Sequence, residues 1–298
     1  MPDHDTDEIF RLPCWSGGVD IEPLHGGITN RNYLVTDRVK GRFVARVGRD
    51  VPVHGIMRFN ELAAARAAYV AGLSPEVIHA SDGVMVSRFI EGRALTPEAV
   101  RDPANLPRVV DLVRRCHRDV AAHLRGPSLI FWVFQVVRGY AGVLRERGSR
   151  LAPRLSRLLA INDRLEALVG PVTIAFGHND LLSGNLIDDG ARLWLLDWDY
   201  AGFNSPLFDL ANLVTNNGLN EQEEREVLAR YGGLPGESKG AGMAAMKCAS
   251  LLREYLWGAV SELFSNIDFD YVAYADDYGS RFEAAWKSVE ARNDAGLT

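Results

Sequence analysis

The stretch that decides the fold is Gly177-His178-Asn179-Asp180-Leu181-Leu182-Ser183-Gly184-Asn185-Leu186-Ile187, followed after a short turn by Leu193-Trp194-Leu195-Leu196-Asp197-Trp198-Asp199-Tyr200. Its first half has the pattern His-x-Asp-x-x-x-x-Asn, and its second half is an apolar β-type run that ends on a carboxylate. Phosphoryl transfer to an alcohol needs a carboxylate placed to accept the hydroxyl proton. It also needs oxygen ligands for Mg2+, which binds hard anionic and carbonyl oxygens through few protein contacts. Asp180 is the candidate for the first task, and Asn185 and Asp197 are the candidates for the second. A loop followed by a strand pair can bring three such groups to one mouth. A capping turn at His178 and Asp180, or a plain strand end at Asp197, explains either segment alone but not both at this spacing.

Upstream, Gly26-Gly27-Ile28-Thr29-Asn30-Arg31-Asn32 precedes a β-type run. Small residues such as Gly27 let backbone N–H groups approach phosphate oxygens, and Thr29, Asn30 and Asn32 add polar side chains. Neither the dinucleotide pattern G-x-G-x-x-G nor the P-loop pattern G-x-x-x-x-G-K-[ST] occurs in the chain. Arg46, in Val44-Ala45-Arg46-Val47, stands where a kinase fold carries a cation on its third strand, and Glu61 on the following helix is its best-placed partner.

The texture around these motifs divides the chain. The first 90 residues alternate like strands, with runs at 32–36, 43–47, 77–80 and 83–90, a hairpin turn at 39–42 and one helix over 59–71 closed by Gly72. Beyond Glu91-Gly92 helical periodicity dominates, over 106–124, 131–147 and 151–168, with a β-type island at 173–198 and a last helical block from Gly240. Strands first and helices after imply an α+β protein of two lobes, a strand-rich 1–90 and a mostly helical 91–298, hinged near Phe89-Ile90-Glu91-Gly92.

A length of 298 residues suits two lobes sharing one site, and 47% apolar with 24% charged residues are ordinary globular values. A net charge of −6 speaks against binding nucleic acid or anionic membranes. The start Met1-Pro2-Asp3-His4-Asp5 is acidic, unlike a secretory signal, and the nearest approach to a membrane span, residues 129–137, is broken by Gln135. Cys14, Cys116 and Cys248 are odd in number and far apart, which fits packed thiols in a reduced cytoplasm. His117 and His123, six apart, miss the spacing of a helical metal pair.

With these residues in hand, the chain resembles the choline/ethanolamine kinase family, within the aminoglycoside-phosphotransferase-like, protein-kinase-like superfamily. The resemblance runs over nearly the whole length and rests on His178-Asn179-Asp180, on Asp197-Trp198-Asp199-Tyr200-Ala201-Gly202-Phe203-Asn204 and on Phe208-Asp209-Leu210-Ala211-Asn212. An arginine at the place of Arg46 is what that family shows. The resemblance implies a two-lobe kinase fold with ATP at the Phe89 and Ile90 hinge, Asp180 as catalytic base and Asn185 and Asp197 as Mg2+ ligands. It makes Arg46 and Glu61 the phosphate-contacting ion pair.

A quaternary ammonium is recognised by aromatic faces and nearby carboxylates. Tyr200, Trp257 and Tyr274 match the family's aromatic box, and Asp199, where the family usually has Glu, would add negative charge. The animal enzymes carry a second tryptophan three positions after the first, where this chain has Val260. The expectation is an ATP- and Mg2+-dependent kinase acting on a small cationic alcohol, choline first. Ethanolamine, thiamine or an aminoglycoside are alternatives on the same fold, and a silent nucleotide- or metabolite-binding module is the alternative of another class.

Overall fold

A computed structural model describes residues 4–24, 30–232 and 240–294. Gly26, Gly27 and Thr29, read above as phosphate-loop residues, lie outside the described residues.

The N-terminal part opens with α1 (His4–Phe10) and folds into an antiparallel sheet of β1 (Val19–Leu24), β2 (Arg31–Asp37), β3 (Gly41–Val47), β4 (Val77–Ser81) and β5 (Val84–Arg88), in the order β1-β2-β3-β5-β4. Alternation decides the faces. Tyr33, Val35, Phe43, Ala45, Val47, Val84 and Val86 point to one side and form a core with Ile9 of α1. The β2–β3 turn is held by Asp37, whose carboxylate accepts the backbone N–H groups of Val39 at 2.8 Å, Lys40 at 3.0 Å and, from outside the turn, Ser16 at 2.7 Å. The hairpin β4–β5 turns at Asp82-Gly83, where Gly83 takes φ 80°.

Between β3 and β4, α2 (Arg58–Val70) buries an alanine stripe, Ala64, Ala65, Ala67 and Ala68, against the helical part. Gly72, at φ 71°, ends it as expected. The edge strand β1 carries no strand signal in sequence, because Val-Asp-Ile-Glu-Pro-Leu is half polar and holds Pro23, which an edge strand tolerates.

After residues 89–92 come β6 (Arg93–Ala94), α3 (Pro97–Arg101), α4 (Leu106–Asp119), α5 (Val133–Glu146) and α6 (Leu155–Val169). The β-type island becomes β7 (Ala175–Gly177), β8 (Leu186–Asp188) and β9 (Leu193–Leu195), and runs on to β10 (Gly202–Asn204). Helices α7 (Pro206–Asn216), α8 (Glu221–Tyr231), α9 (Ala241–Phe264) and α10 (Tyr271–Asp294) complete the chain. The short strands pair as β7–β10 and β6–β8–β9, so two small ladders flank the Asp180 and Asp197 segments. Gly92 passes so near this layer that a Cβ there would stand 2.6 Å from the Asp188 carbonyl oxygen.

The last helical block is two helices, broken between Phe264 and Tyr271. Buried almost all round, α9 packs on α5, α6, α7 and α10 and is the axis of the helical core. The acidic run at 221–226 starts α8 through a capping box of Asn220 and Glu223. Cys116 and Cys248 are buried free thiols and Cys14 is half-buried. Among the described residues no helix is long and apolar enough to cross a membrane.

Candidate active site

The loop after β7 is fixed from below by α7. Asp209 accepts the backbone N–H groups of His178 at 2.8 Å and Asn179 at 2.7 Å, and His117 Nε2 lies 2.8 Å from the same carboxylate. Burial works against the Asp209 charge, but His117 and the amides hold its carboxyl below the ordinary range. Asn212 accepts the Leu181 N–H at 2.6 Å, and Asn217 donates to the Leu181 carbonyl at 2.9 Å. Asn179, at φ 66°, donates from Nδ2 to the Tyr200 carbonyl at 2.9 Å, tying the loop to the segment after Asp197. The loop is therefore over-determined, which is how an uncommon backbone conformation persists at a site.

Asp180 rides on this platform with its side chain 13% exposed. The Asn185 amide donates to the Asp180 carbonyl at 2.9 Å, so the two motif residues meet as their spacing implied. Burial pushes the Asp180 carboxyl up to about 8.

Asp197 also sits at φ 66°. Its Oδ2 is 2.8 Å from Arg46 Nη2, while its Oδ1 is buried with no partner among the described residues. Burial would raise this carboxyl, but Arg46 overrides it and holds the group below 3.8. With the Asn185 NH2 turned to Asp180, an amide oxygen and an orphaned carboxylate oxygen remain. That donor set fits Mg2+, which takes one or two protein oxygens and completes its shell with water and phosphate.

Around Arg46 the structure builds a charged network larger than the expected pair. Arg46 Nη1 bonds Glu61 and lies 3.0 Å from Asp199; Arg58 Nη1 lies 2.5 Å from Glu61 and 2.8 Å from Asp199. Asn30 bridges them, accepting from Arg58 Nη2 at 2.7 Å and donating to Asp199 Oδ2 at 2.9 Å. Asp199, expected beside the aromatic set, thus stands among arginines, with burial pushing its carboxyl up to about 7. Asn32 lies opposite Arg46 in the β2–β3 register. Phe89 and Ile90 are half-buried, with the Arg42 guanidinium 4.2 Å from the Phe89 ring centre.

The aromatic residues do come together. Trp257 Nε1 donates to Tyr200 Oη at 2.7 Å, the Trp257 and Tyr274 rings lie 5.4 Å apart, and Tyr274 Oη donates to Glu254 at 2.8 Å. A further ring arrives from the N-terminal part. His54, in the turn Pro52–His54, lies 5.4 Å from Trp257 and bonds Tyr140 and Ser261 at 3.2 and 3.1 Å. Burial, aided by Arg253, pushes His54 down to about 3, so it is neutral near pH 7. The Arg253 guanidinium lies 4.2 Å over the Tyr200 ring and 3.8 Å from Asp180, paired with Glu254. His54, Arg58, Arg253 and Glu254 are the residues that sequence reasoning missed. Arg58 alone left a trace there, three positions before Glu61 on one helix face.

A five-stranded sheet followed by a helical part, with two aspartates and an asparagine gathered between them, fits one class: a phosphotransferase of kinase-like fold. The chain belongs to the phosphotransferase enzyme family, whose pattern matches residues 20–247. It is similar to the protein LicA of Haemophilus influenzae, 29% identical over 212 residues, which cover 69% of this chain and 61% of that protein. A choline/ethanolamine kinase family protein of Mesorhizobium loti superposes with a TM-score of 0.72 at 30% identity, over 94% of both chains. LicA in complex with AMP shares the fold, with a TM-score of 0.77 at 22% identity, over 96% of this chain and 99% of that one.

Proposed function

We propose that the protein transfers the γ-phosphoryl of ATP, with Mg2+, to the hydroxyl of a small cationic alcohol of the choline and ethanolamine kind. The observation that carries this reading is the position of Asp180, with the Asn185 amide on one side and the Arg253-Glu254-Tyr200-Trp257 cluster on the other. Asp180 accepts the acceptor's proton as its oxygen attacks. Arg46, braced by Glu61, steadies the nucleotide phosphates, and the 26–32 loop and the Phe89-Ile90 joint hold the rest of the nucleotide. Mg2+, when bound at Asn185 and Asp197, supplies charge neutralisation on the phosphates. The reading gives residues 1–90 to the nucleotide and 91–298 to catalysis and the acceptor. AMP in a protein of the same fold supports the nucleotide assignment.

Choline is the first acceptor to test on the family likeness. A second reading, a primary amine, is favoured by one observation: the ring face of Tyr200 is already covered by Arg253 at 4.2 Å. The test is ADP release by purified protein with Mg2+ and ATP against choline, ethanolamine, thiamine and an aminoglycoside. Turnover of an amino alcohol supports the proposal. ATP binding without transfer to any alcohol points instead to a binding module.

A further inference from the structure

Between β3 and α2 the chain leaves the sheet and makes a closed turn. Val51 N–H donates to the Ile56 carbonyl at 2.8 Å, Ile56 N–H donates back to the Val51 carbonyl at 3.2 Å, and His54 N–H reaches the same carbonyl at 2.9 Å. These bonds fix backbone that a plain loop leaves free, so the turn is a short stiff arm. It is also anchored: Ile56 is fully buried in the helical core, and Val51 and Val53 pack against it.

At the tip of the arm His54 is 8% exposed. Its Nδ1 lies 3.2 Å from Tyr140 Oη on α5, and its Nε2 lies 3.1 Å from Ser261 Oγ on α9. Ser261 stands four residues after Trp257, on the same face of that helix. The His54 ring accordingly lies 5.4 Å from the Trp257 ring, tilted by 34°. His54 thus fixes one side of Trp257, whose Nε1 is tied to Tyr200 and whose other neighbours are Tyr271 and Tyr274.

The base of the arm is bonded to Arg58. The Arg58 backbone N–H donates to Asp50 Oδ1 at 2.7 Å, and its Nε donates to the Arg49 carbonyl at 2.9 Å. Those two bonds aim the guanidinium, whose Nη1 meets Glu61 and Asp199, the carboxylates that also hold Arg46. One element therefore has Trp257 at its tip and the partners of Arg46 at its base. Two ligands that order opposite ends of one element each lower the ordering cost left to the other, which gives positive coupling without contact between them.

We infer that the arm 49–57 couples the two substrate sites, with His54 as the positioning residue at its acceptor end. An acceptor on Trp257 raises the affinity for nucleotide at Arg46, and nucleotide raises the affinity for acceptor by the same factor. The inference rests on the proposed reading of Trp257 as an acceptor residue and of Arg46 as a phosphate residue.

The experiment is calorimetric titration of the protein by a non-hydrolysable ATP analogue with Mg2+, with and without choline, and again with and without ethanolamine. The readout is the ratio of the two nucleotide affinities. In the wild type at least one amino alcohol should tighten the nucleotide by about 5-fold or more. His54→Ala should bring that ratio to within about twofold of one. Asp50→Ala, at the exposed base and far from Trp257, should do the same, and it stands if the His54 variant fails to fold. A wild-type ratio of one overturns the inference, and so does a ratio kept in either folded variant. Acceptor binding weakened equally with and without nucleotide, the ratio unchanged, assigns His54 to packing alone and overturns it too. Binding of neither amino alcohol removes the acceptor reading and the inference together. Coupling lost in both variants of a protein that transfers no phosphate upholds the inference and removes the kinase reading instead.

Discussion

Asp180 is worth most at the scale of single residues. Its carboxyl is pushed up to about 8 by burial, and only the ionised form can take a proton from an alcohol. The sign follows directly: activity is suppressed below that value and rises as pH increases through it. The profile of kcat/KM should therefore climb from about pH 7 and level off above about pH 9; a profile flat over that range contradicts the assignment. Asp180→Ala should lower kcat by about 10²–10⁴-fold with nucleotide affinity little changed, as read by initial rates and nucleotide titration. Asp180, Asn185 and Asp197 were legible as candidates because the roles proposed for them need fixed local spacing within one stretch of chain. Arg253 and Glu254 were not, because nothing near them in sequence shows that α9 brings them beneath Asp180. Asp199 was legible as a site carboxylate, yet its company of Arg46 and Arg58 is a product of tertiary packing.

At the scale of elements, the close crossing of α9 and α10 shapes the aromatic cluster. A Cβ on Gly258 would stand 2.9 Å from a Tyr274 ring carbon and 3.1 Å from the Ala275 Cβ. Gly258→Ala should displace Tyr274, cost about 1–3 kcal/mol of stability and raise the acceptor KM more than the nucleotide KM. Thermal unfolding with steady-state kinetics checks it, and equal changes in both KM values would count against the placement of Tyr274.

The β2–β3 turn makes a different prediction. The backbone N–H groups of Ser16, Val39, Lys40 and Gly17 lower the Asp37 carboxyl from 3.8 to about 2, so the folded state favours its ionised form. That contribution is complete above about pH 4 and is lost as pH falls through about 2. Asp37→Asn should unfold at a lower temperature near pH 6, with the gap to wild type closing toward pH 2. These hairpin strands were readable from alternation and turn chemistry. Helix α7 was not, because it is buried on nearly every face, with its polar Asp209, Asn212 and Thr215 turned inward as well.

On the scale of the whole molecule, the order of strands then helices was enough to give the α+β fold, a five-stranded sheet whose last strand ends at Arg88 and a mostly helical part after it. What composition and periodicity could not give is how the parts interlock. The turn at Pro52–His54 leaves the N-terminal part and lays His54 against Trp257, Tyr140 and Ser261 of the helical core. Arg46 and Arg58 reach the other way to Asp197 and Asp199. The measurement that tests the account most directly is phosphate transfer from ATP to an amine-bearing alcohol, followed by ³¹P NMR in wild-type protein and in Asp180→Ala. The account predicts a new phosphomonoester resonance with stoichiometric ADP in the wild type and neither in the variant. ATP bound but no phosphomonoester from any amino alcohol, or an equal yield in Asp180→Ala, would contradict it.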